Sequence, residues 1–359
     1  MWGYKMAVEP KVEVIKDSTS IQQISNGMAS RIAIVGAFDS TIGDLTVVTD
    51  KTTAHNMFGT TDVVDDFKGT DAIDFLFYGA TELLVANVTT WSDDETPVPS
   101  TTITNEKLDT ALAKLHHEEF DILFIAEDLA DVSQVIVTKW LSDEFKDKYC
   151  HGQIIQLNRS SGAEYATSVG TLGDNVYFIN TQQFNYLGTN LSLNQSTAYM
   201  AGLIASMGVN RSLTAKTIPN IQGISPEYLT TAGELGAKLL ELNIPFIKAK
   251  NRRLDEYICV NSKMPNELDL YINRTRDYVI NRIAVESYLG EINNERTIEG
   301  IHNIVDNLVY ECVDILELLE EIDFVVERKS SECIDIIIKK MVFNGVVTEI
   351  DIHYSIEVI

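Results

Sequence analysis

The chain has few cysteines, no long apolar run and little basic charge. Its four cysteines, Cys150, Cys259, Cys312 and Cys333, are widely spaced over 359 residues, so neither a disulfide framework nor a C-x-x-C zinc site is indicated. No stretch approaches the roughly 18 to 20 apolar residues that cross a bilayer, and residues 1–7 lack the apolar core of a signal peptide. We expect a protein made and used on the cytoplasmic side, with its cysteines buried as small apolar side chains.

Basic side chains are outnumbered by acidic ones. The chain carries 28 Lys and Arg against 53 Asp and Glu, a formal net charge of −25. A surface of this sign repels phosphate groups, which argues against nucleic acid as a partner. It keeps a large particle soluble and favours partners with basic faces.

Motifs for chemistry are also missing. Gly36 follows a short apolar run, but no G-x-G-x-x-G or G-K-[ST] pattern is present, so phosphate binding is not indicated. His116 and His117 are adjacent rather than four apart, which fits a solvated helix end better than a shared metal face. Ser161 lacks the flanking glycines of a nucleophile elbow. We therefore assign no catalytic, cofactor-binding or metal-binding residue and do not expect an enzyme.

The first half of the chain alternates strand and helix patterns. Short apolar runs at 31–36, 83–88, 122–125, 154–157 and 176–179 predict buried strands, and helical patterns at 105–117, 132–148 and 163–170 lie between them. This alternation predicts an α/β layer domain over residues 23–195.

The second half predicts an α+β domain over 196–343. A helix of small apolar residues at 195–209 leads into an ordered loop at 210–231, and a helix at 231–243 follows. Strands are predicted at 246–249 and 256–261, and long helices at 268–289 and 298–322.

Charge is segregated in this part of the chain. The predicted helix 298–322 carries an apolar stripe and, on the opposite side, several acidic residues. The segment 246–282 is rich in Lys and Arg. Either sign alone can be a solvated face, whereas both together favour an interface. The candidate charged contacts between subunits or to a partner are Arg274, Arg276, Arg282, Glu317, Glu320 and Glu321.

Both ends of the chain predict single strands. Over 347–359 apolar and polar residues alternate, which indicates a half-buried strand whose antiparallel neighbour lies at 333–342 and whose other edge needs a partner. Near the N-terminus Pro10 marks an edge strand. The two strands either pair within one monomer or are exchanged between copies. The residues expected to link subunits are Val8, Val12, Val14, Ile350, Ile352, Tyr354, Ile356 and Val358.

Two adjoining segments resemble contractile tail sheath proteins of phages and phage-tail-like (R-type) bacteriocins. Residues 198–205 read Ala-Tyr-Met-Ala-Gly-Leu-Ile-Ala, and 210–214 read Asn-Arg-Ser-Leu-Thr; in that family an AGLIA helix precedes an N-x-S-L-T segment. The pattern Glu-x-x-x-x-Leu-Leu-x-x-x-Ile at 234–244 and the strand end at 257–262 are also similar. The resemblance covers roughly 197–359.

The resemblance implies a structural subunit that polymerises around an inner tube and contracts to drive the tube through a target cell envelope. It implies linking segments at 1–22 and 344–359 that join a β-sheet in adjacent subunits, an inner domain facing the tube and an outer α/β domain. The implied partners are further copies of the chain, the inner tube protein, and baseplate and tail terminator proteins, with assembly in the bacterial cytoplasm. The alternatives are another self-assembling tube or shell protein, or an α/β enzyme with a pocket at the strand ends.

Overall fold

The computed structural model describes residues 31–60, 67–94, 96–116, 118–127, 135–137, 139–141, 153–157, 176–179, 182–250, 256–264, 267–282, 294–329 and 334–344. The strands are β1 (Arg31–Gly36), β2 (Thr46–Val48), β3 (Glu82–Asn87), β4 (Thr90–Trp91), β5 (Pro99–Ser100), β6 (Ile122–Ile125), β7 (Gln153–Leu157), β8 (Val176–Ile179), β9 (Gln183–Tyr186), β10 (Thr189–Asn190), β11 (Ile221–Ser225), β12 (Ile247–Ala249), β13 (Tyr257–Cys259), β14 (Leu319–Arg328) and β15 (Ile334–Phe343). The helices are α1 (Lys51–Phe58), α2 (Lys68–Leu76), α3 (Asn105–Leu115), α4 (Leu193–Ser206), α5 (Leu235–Glu241), α6 (Leu270–Asn281) and α7 (Glu295–Tyr310), with a π-helical turn at Glu311–Ile315.

A six-stranded sheet of order β2-β3-β1-β6-β7-β8 forms the centre of the first half. All neighbours in it are parallel except β2 and β3. Its central strands are continuous apolar runs because both of their faces are covered, as in other parallel sheets. In β1, Ile32 and Ile34 belong to the apolar core on one face of the sheet, while Ala33 and Val35 belong to the core on the other face. The predicted α/β class is confirmed.

Helices cover the two faces of this sheet. On one face α3 buries Leu108 and Leu112 against the sheet, and the side chain of Thr104 caps its first turn by accepting from Lys107 N. On the other face lie α2 and α4. The sequence patterns did not predict α1 or α2, since each spans only two turns and leaves little periodicity to read. Of the predicted helix 132–148, residues 135–137 and 139–141 are helical.

Helix α4 is buried on nearly all sides. It begins at a capping box in which Ser192 and Gln195 bond each other's backbone N–H. Its Gly202 lies so close to α2 that an added Cβ would overlap the carbonyl oxygen of Phe75. The boundary predicted at 195/196 falls inside this helix, and one apolar core runs from the sheet to Met264. The packing is therefore continuous where the sequence suggested two domains.

Beyond α4 the chain forms small sheets. Strands β10, β9 and β11 make an antiparallel sheet, and β12 pairs with β13. The predicted loop 210–231 was wrong over β11, because a bulge between Ile221 and Gly223 disrupts its alternation. The two strands predicted at 246–249 and 256–261 are present as β12 and β13.

The predicted helix 298–322 was wrong in its second half. Helix α7 ends at Tyr310, the π-helical turn follows, and the chain reverses at Glu317, whose φ is +48°. It then enters β14, which pairs antiparallel with β15. Leu308 and Cys312 share one buried cluster with Leu319, so an apolar stripe at helical spacing continues into a strand that packs on the same core. Periodicity alone does not separate these cases.

Candidate assembly surface

The residues predicted to link subunits lie outside the described part of the chain. This holds for Val8, Val12, Val14, Ile350, Ile352, Tyr354, Ile356 and Val358. Their exchange between copies stays a prediction. Of the predicted linking segment 344–359, the described part of the chain includes residue 344 alone.

The hairpin β14–β15 is the surface on which such a strand could be added. One of its faces packs on α7, where Phe324, Val326 and Ile336 contact Ile301 and Val305. Among the described residues each of its two strands pairs only with the other. Each strand therefore presents an outer edge of backbone donors and acceptors without a described strand partner, which is a template for strand addition.

The strand predicted at 333–342 is present, whereas its pairing with the strand predicted at 347–359 stays a prediction. Strand β15 spans Ile334–Phe343, within one residue of the predicted 333–342. Strand β14, its partner, was missed because its residues were assigned to the long helix. Two neighbouring ten-residue strands give the surface a length of about 30 Å at roughly 3.4 Å per residue.

The hairpin's outer face is mixed in character. Val325 lies opposite Ile337 in the register, on the face turned away from α7, and Ile337 is 40% exposed. Next to them, Lys340 forms an ion pair with Glu321. An exposed ion pair of this kind contributes little to stability, about 0.2–1 kcal/mol.

The three glutamates predicted to share a helix face do not do so. Glu317 is in the turn before β14, and Glu320 and Glu321 are in the strand itself. All three are exposed. The π-helical turn and a bulge between Leu319 and Glu321 interrupt the helical spacing on which that prediction rested.

Arg274 is not a surface residue, so the prediction that it contacts another subunit was wrong. Its side chain is 1% exposed, and Nη2 lies 2.6 Å from Oδ2 of Asp121, at the start of β6. Nη1 donates to the carbonyl oxygen of Ile204, at the end of α4. Burial raises the pKa of the Asp121 carboxyl, and the Arg274 guanidinium opposes that rise. An arginine pattern cannot predict this pairing, because its partner is 153 residues away.

The other two arginines of the predicted set are on the surface side of α6. Arg276 pairs with its neighbour Asp277. Arg282 is half exposed and donates from Nη2 to both carboxylate oxygens of Glu311, at 3.1 and 3.2 Å. This pair joins the end of α6 to the π-helical turn. Burial raises the pKa of the adjacent Tyr278 hydroxyl to about 12.

The crevice where parallel α/β folds bind nucleotides is closed in the described residues. At the end of β1, a Cβ on Gly36 would lie 2.8 Å from the Cβ of Ala126 and 3.0 Å from the Cα of Gly69. Gly69 N donates to the carbonyl oxygen of Ala37, at 2.8 Å. The start of α2 is therefore packed against backbone, where a ligand phosphate would sit in a doubly wound enzyme.

An open cleft of about 760 Å³ lies over the β9–β10–β11 sheet. Its side chains include Gln183, Asn185, Asn190, Gln222 and Ser225. These groups form hydrogen bonds but are neutral and do not transfer protons near pH 7.

The described residues contain no cluster of three or more His, Cys, Asp or Glu residues arranged to hold a metal ion. No helix among them has the length and apolar character needed to span a membrane. Cys259 and Cys312 are buried free thiols, as predicted, and Cys150 and Cys333 lie outside the described residues.

No protein-family model and no curated protein matches the chain. Solved structures do match. A sheath tail protein from Desulfitobacterium hafniense is 13% identical with a TM-score of 0.64, over 91% of this chain and 93% of that one. A sheath tail protein from Listeria innocua is 12% identical with a TM-score of 0.62, over 87% and 92%. A chain of the helical sheath of the anti-feeding prophage, in its contracted state, is 13% identical with a TM-score of 0.67, over 97% and 99%.

This chain has the fold of those sheath proteins nearly from end to end. The resemblance predicted from residues 198–214 is therefore confirmed at the level of the fold. A chain from the baseplate of the anti-feeding prophage matches as well, with a TM-score of 0.67.

Proposed function

We propose that this chain is the structural subunit of a contractile tail sheath, which polymerises around an inner tube and shortens to drive that tube through a target cell envelope. The observation that carries the proposal is the match over 97% of this chain and 99% of a chain in an assembled, contracted helical sheath. A fold shared over nearly all of both chains supports use in the same kind of polymer.

Strand addition at the β14–β15 hairpin would link the copies. The N-terminal strand with Val8, Val12 and Val14 and the C-terminal strand around Ile352 would extend this two-stranded sheet in neighbouring copies. Fully extended, residues 344–359 would span at most about 55 Å, which sets the reach of this link to a neighbouring copy. Hydrogen bonds between backbones hold while the bodies rotate around them, so one mesh serves both the extended and the contracted polymer.

The outer α/β part over 23–195 would lie outside, and the inner part over 196–343 would face the tube. Arg276, Arg282, Glu317, Glu320 and Glu321 remain candidates for charged contacts between copies or with the tube. Arg274 leaves this set because it is buried.

The work of contraction would come from differences between interfaces rather than from bond chemistry. The further partners would be the tube protein, the baseplate and the tail terminator, with assembly in the bacterial cytoplasm. No enzymatic step is part of this proposal.

Electron microscopy of the purified chain tests the proposal, together with a variant that lacks residues 350–359. The full chain is expected to form long tubes or stacked rings, and the truncated chain is expected to stay folded by circular dichroism but not to polymerise. The control is Val98→Ser, a change at an exposed loop position, which is expected to polymerise as the unchanged chain does. Tubes formed by the truncated chain would contradict the role of the C-terminal strand.

A further inference from the structure

Three exposed cations lie on two loops of the inner part of the chain. Arg211 and Lys216 flank the short segment after α4, and Lys263 follows β13. No ion pair joins any of them to another described residue. We call these three residues the basic patch.

A hydrogen-bonded node under the basic patch holds its two loops together. Ser212 donates from Oγ to Oδ2 of Asp269, at 2.7 Å, and lies 2.8 Å from Oγ of Ser262. Ser262 N donates to Oγ1 of Thr214, at 3.0 Å. Ser212 and Ser262 are buried. Since the backbone that carries the cations is fixed, a partner orders mainly their side chains on binding, which lowers the entropic cost.

The same chain also carries a group of exposed acidic residues. Asp314, Glu317, Glu320 and Asp323 are exposed and make no ion pair with a described residue. Their backbone is fixed by the pairing of β14 with β15 and by Asn344, whose Nδ2 donates to the carbonyl oxygen of Glu317, at 2.8 Å. We call these four residues the acidic patch.

Copies of a chain with a net charge of −25 repel one another, so contacts between them need local positive charge. The basic patch supplies it with three positive side chains, and the acidic patch is opposite in sign with four negative ones. Contact between two different patches is head-to-tail, and contacts of this type generate rings or open helices. We propose that the basic patch of one copy binds the acidic patch of a second copy; this inference rests on the proposed sheath function and names one of its contacts.

Charge reversal with exchange tests this contact. In Lys216→Glu/Lys263→Glu both patches carry a net negative charge, and in Glu317→Lys/Glu320→Lys/Asp323→Lys both carry a net positive charge. Each variant alone is therefore expected to assemble at least about tenfold less than the unchanged chain at low salt. An equal mixture is expected to restore assembly, because each altered patch then meets an opposite charge on the other variant. A chain that carries all five changes is expected to assemble with itself.

The control is Lys139→Glu/Lys238→Glu, which changes the net charge by the same amount at two exposed lysines outside the patch. Assembly of this control within about twofold of the unchanged chain supports a specific contact. Equal loss in the control and in Lys216→Glu/Lys263→Glu overturns it, as does normal assembly of the latter variant.

A separate readout keeps this contact distinct from the proposed function. If the unchanged chain forms no tubes, the sheath proposal fails, and sedimentation of the mixed reversal variants still reports on the contact. Heterodimers in the mixture, absent from either variant alone, support the contact. A mixture that stays monomeric at every concentration at which the unchanged chain associates overturns it.

Discussion

Arg274 and Asp121 form a buried ion pair that joins helix α6 to the central sheet, with Nη2 2.6 Å from Oδ2. The same guanidinium donates to the carbonyl oxygens of Ile204 and Met207, at the end of α4, where the oxygen of Ile204 also accepts from Met207 N. Asp121 N in turn donates to the carbonyl oxygen of Arg31, the first residue of β1. One arginine thus ties α4 and α6 to the start of the central strands β1 and β6.

Replacing this arginine is expected to destabilise the monomer. Arg274→Met would leave the Asp121 carboxylate buried without its partner, which costs about 3–5 kcal/mol in the free energy of unfolding. The double variant Asp121→Leu/Arg274→Met removes both charges and is expected to lose less. Urea unfolding followed by circular dichroism measures both. A loss below about 1 kcal/mol for Arg274→Met would contradict the role given to the pair.

The effect of Arg274→Met is expected to depend on pH. Burial already raises the pKa of Asp121, and Arg274 holds it lower than burial alone would. In the variant the pKa rises further, so the folded state binds this proton more tightly than the unfolded state does. Stability is then retained at low pH, where Asp121 is protonated in both states, and lost as pH rises through the folded-state pKa.

The free-energy difference between Arg274→Met and the unchanged chain should therefore grow between about pH 4 and pH 7. Measuring both proteins by urea unfolding across that range cancels the other acidic groups that they share. A difference that is constant with pH would mean that Asp121 does not titrate in this interval. Arg274→Lys, which keeps a positive charge, is expected to show a smaller pH dependence than Arg274→Met.

Close packing of α2 and α4 gives a second prediction about stability. Gly202→Ala places a Cβ against the carbonyl oxygen of Phe75, and two helix backbones cannot yield as a side chain would. We expect a loss of about 1–3 kcal/mol or more, as for other overpacked sites. Gly43→Ala is the matched control, since nothing lies within 4 Å of its added Cβ. Equal midpoints for both variants in thermal unfolding would contradict the close approach.

The sequence predicted best those elements whose environment is uniform. Strands β1, β3 and β6 are covered on both faces, so they read as apolar runs, and α4 is buried on nearly all sides. Where a segment changes its structure but not its core, prediction failed, as between Leu308 and Leu319. It also failed for Arg274, since a charged residue looks the same in sequence whether water or a distant carboxylate surrounds it.

The hairpin's two faces give a prediction that separates folding from assembly. Ile336 lies on the face of the hairpin that packs on α7, whereas Ile337 lies on the opposite face and is 40% exposed. Ile336→Lys would place a charge against the apolar cluster with Ile301 and Val305 and is expected to lower thermal stability more than Ile337→Lys does. Ile337→Lys is expected to change stability by less than about 1 kcal/mol, yet to reduce assembly, because we expect a neighbouring copy to cover the apolar part of this mixed face in the proposed polymer.

Sedimentation of polymer and thermal unfolding of monomer measure the two effects on the same samples. Glu327→Lys serves as the control for added positive charge, because it adds a lysine to an exposed position of the same hairpin without removing an apolar contact. If Ile337→Lys polymerises as well as the unchanged chain, that face stays exposed to solvent in the polymer, and the edges of the hairpin alone carry the link between copies.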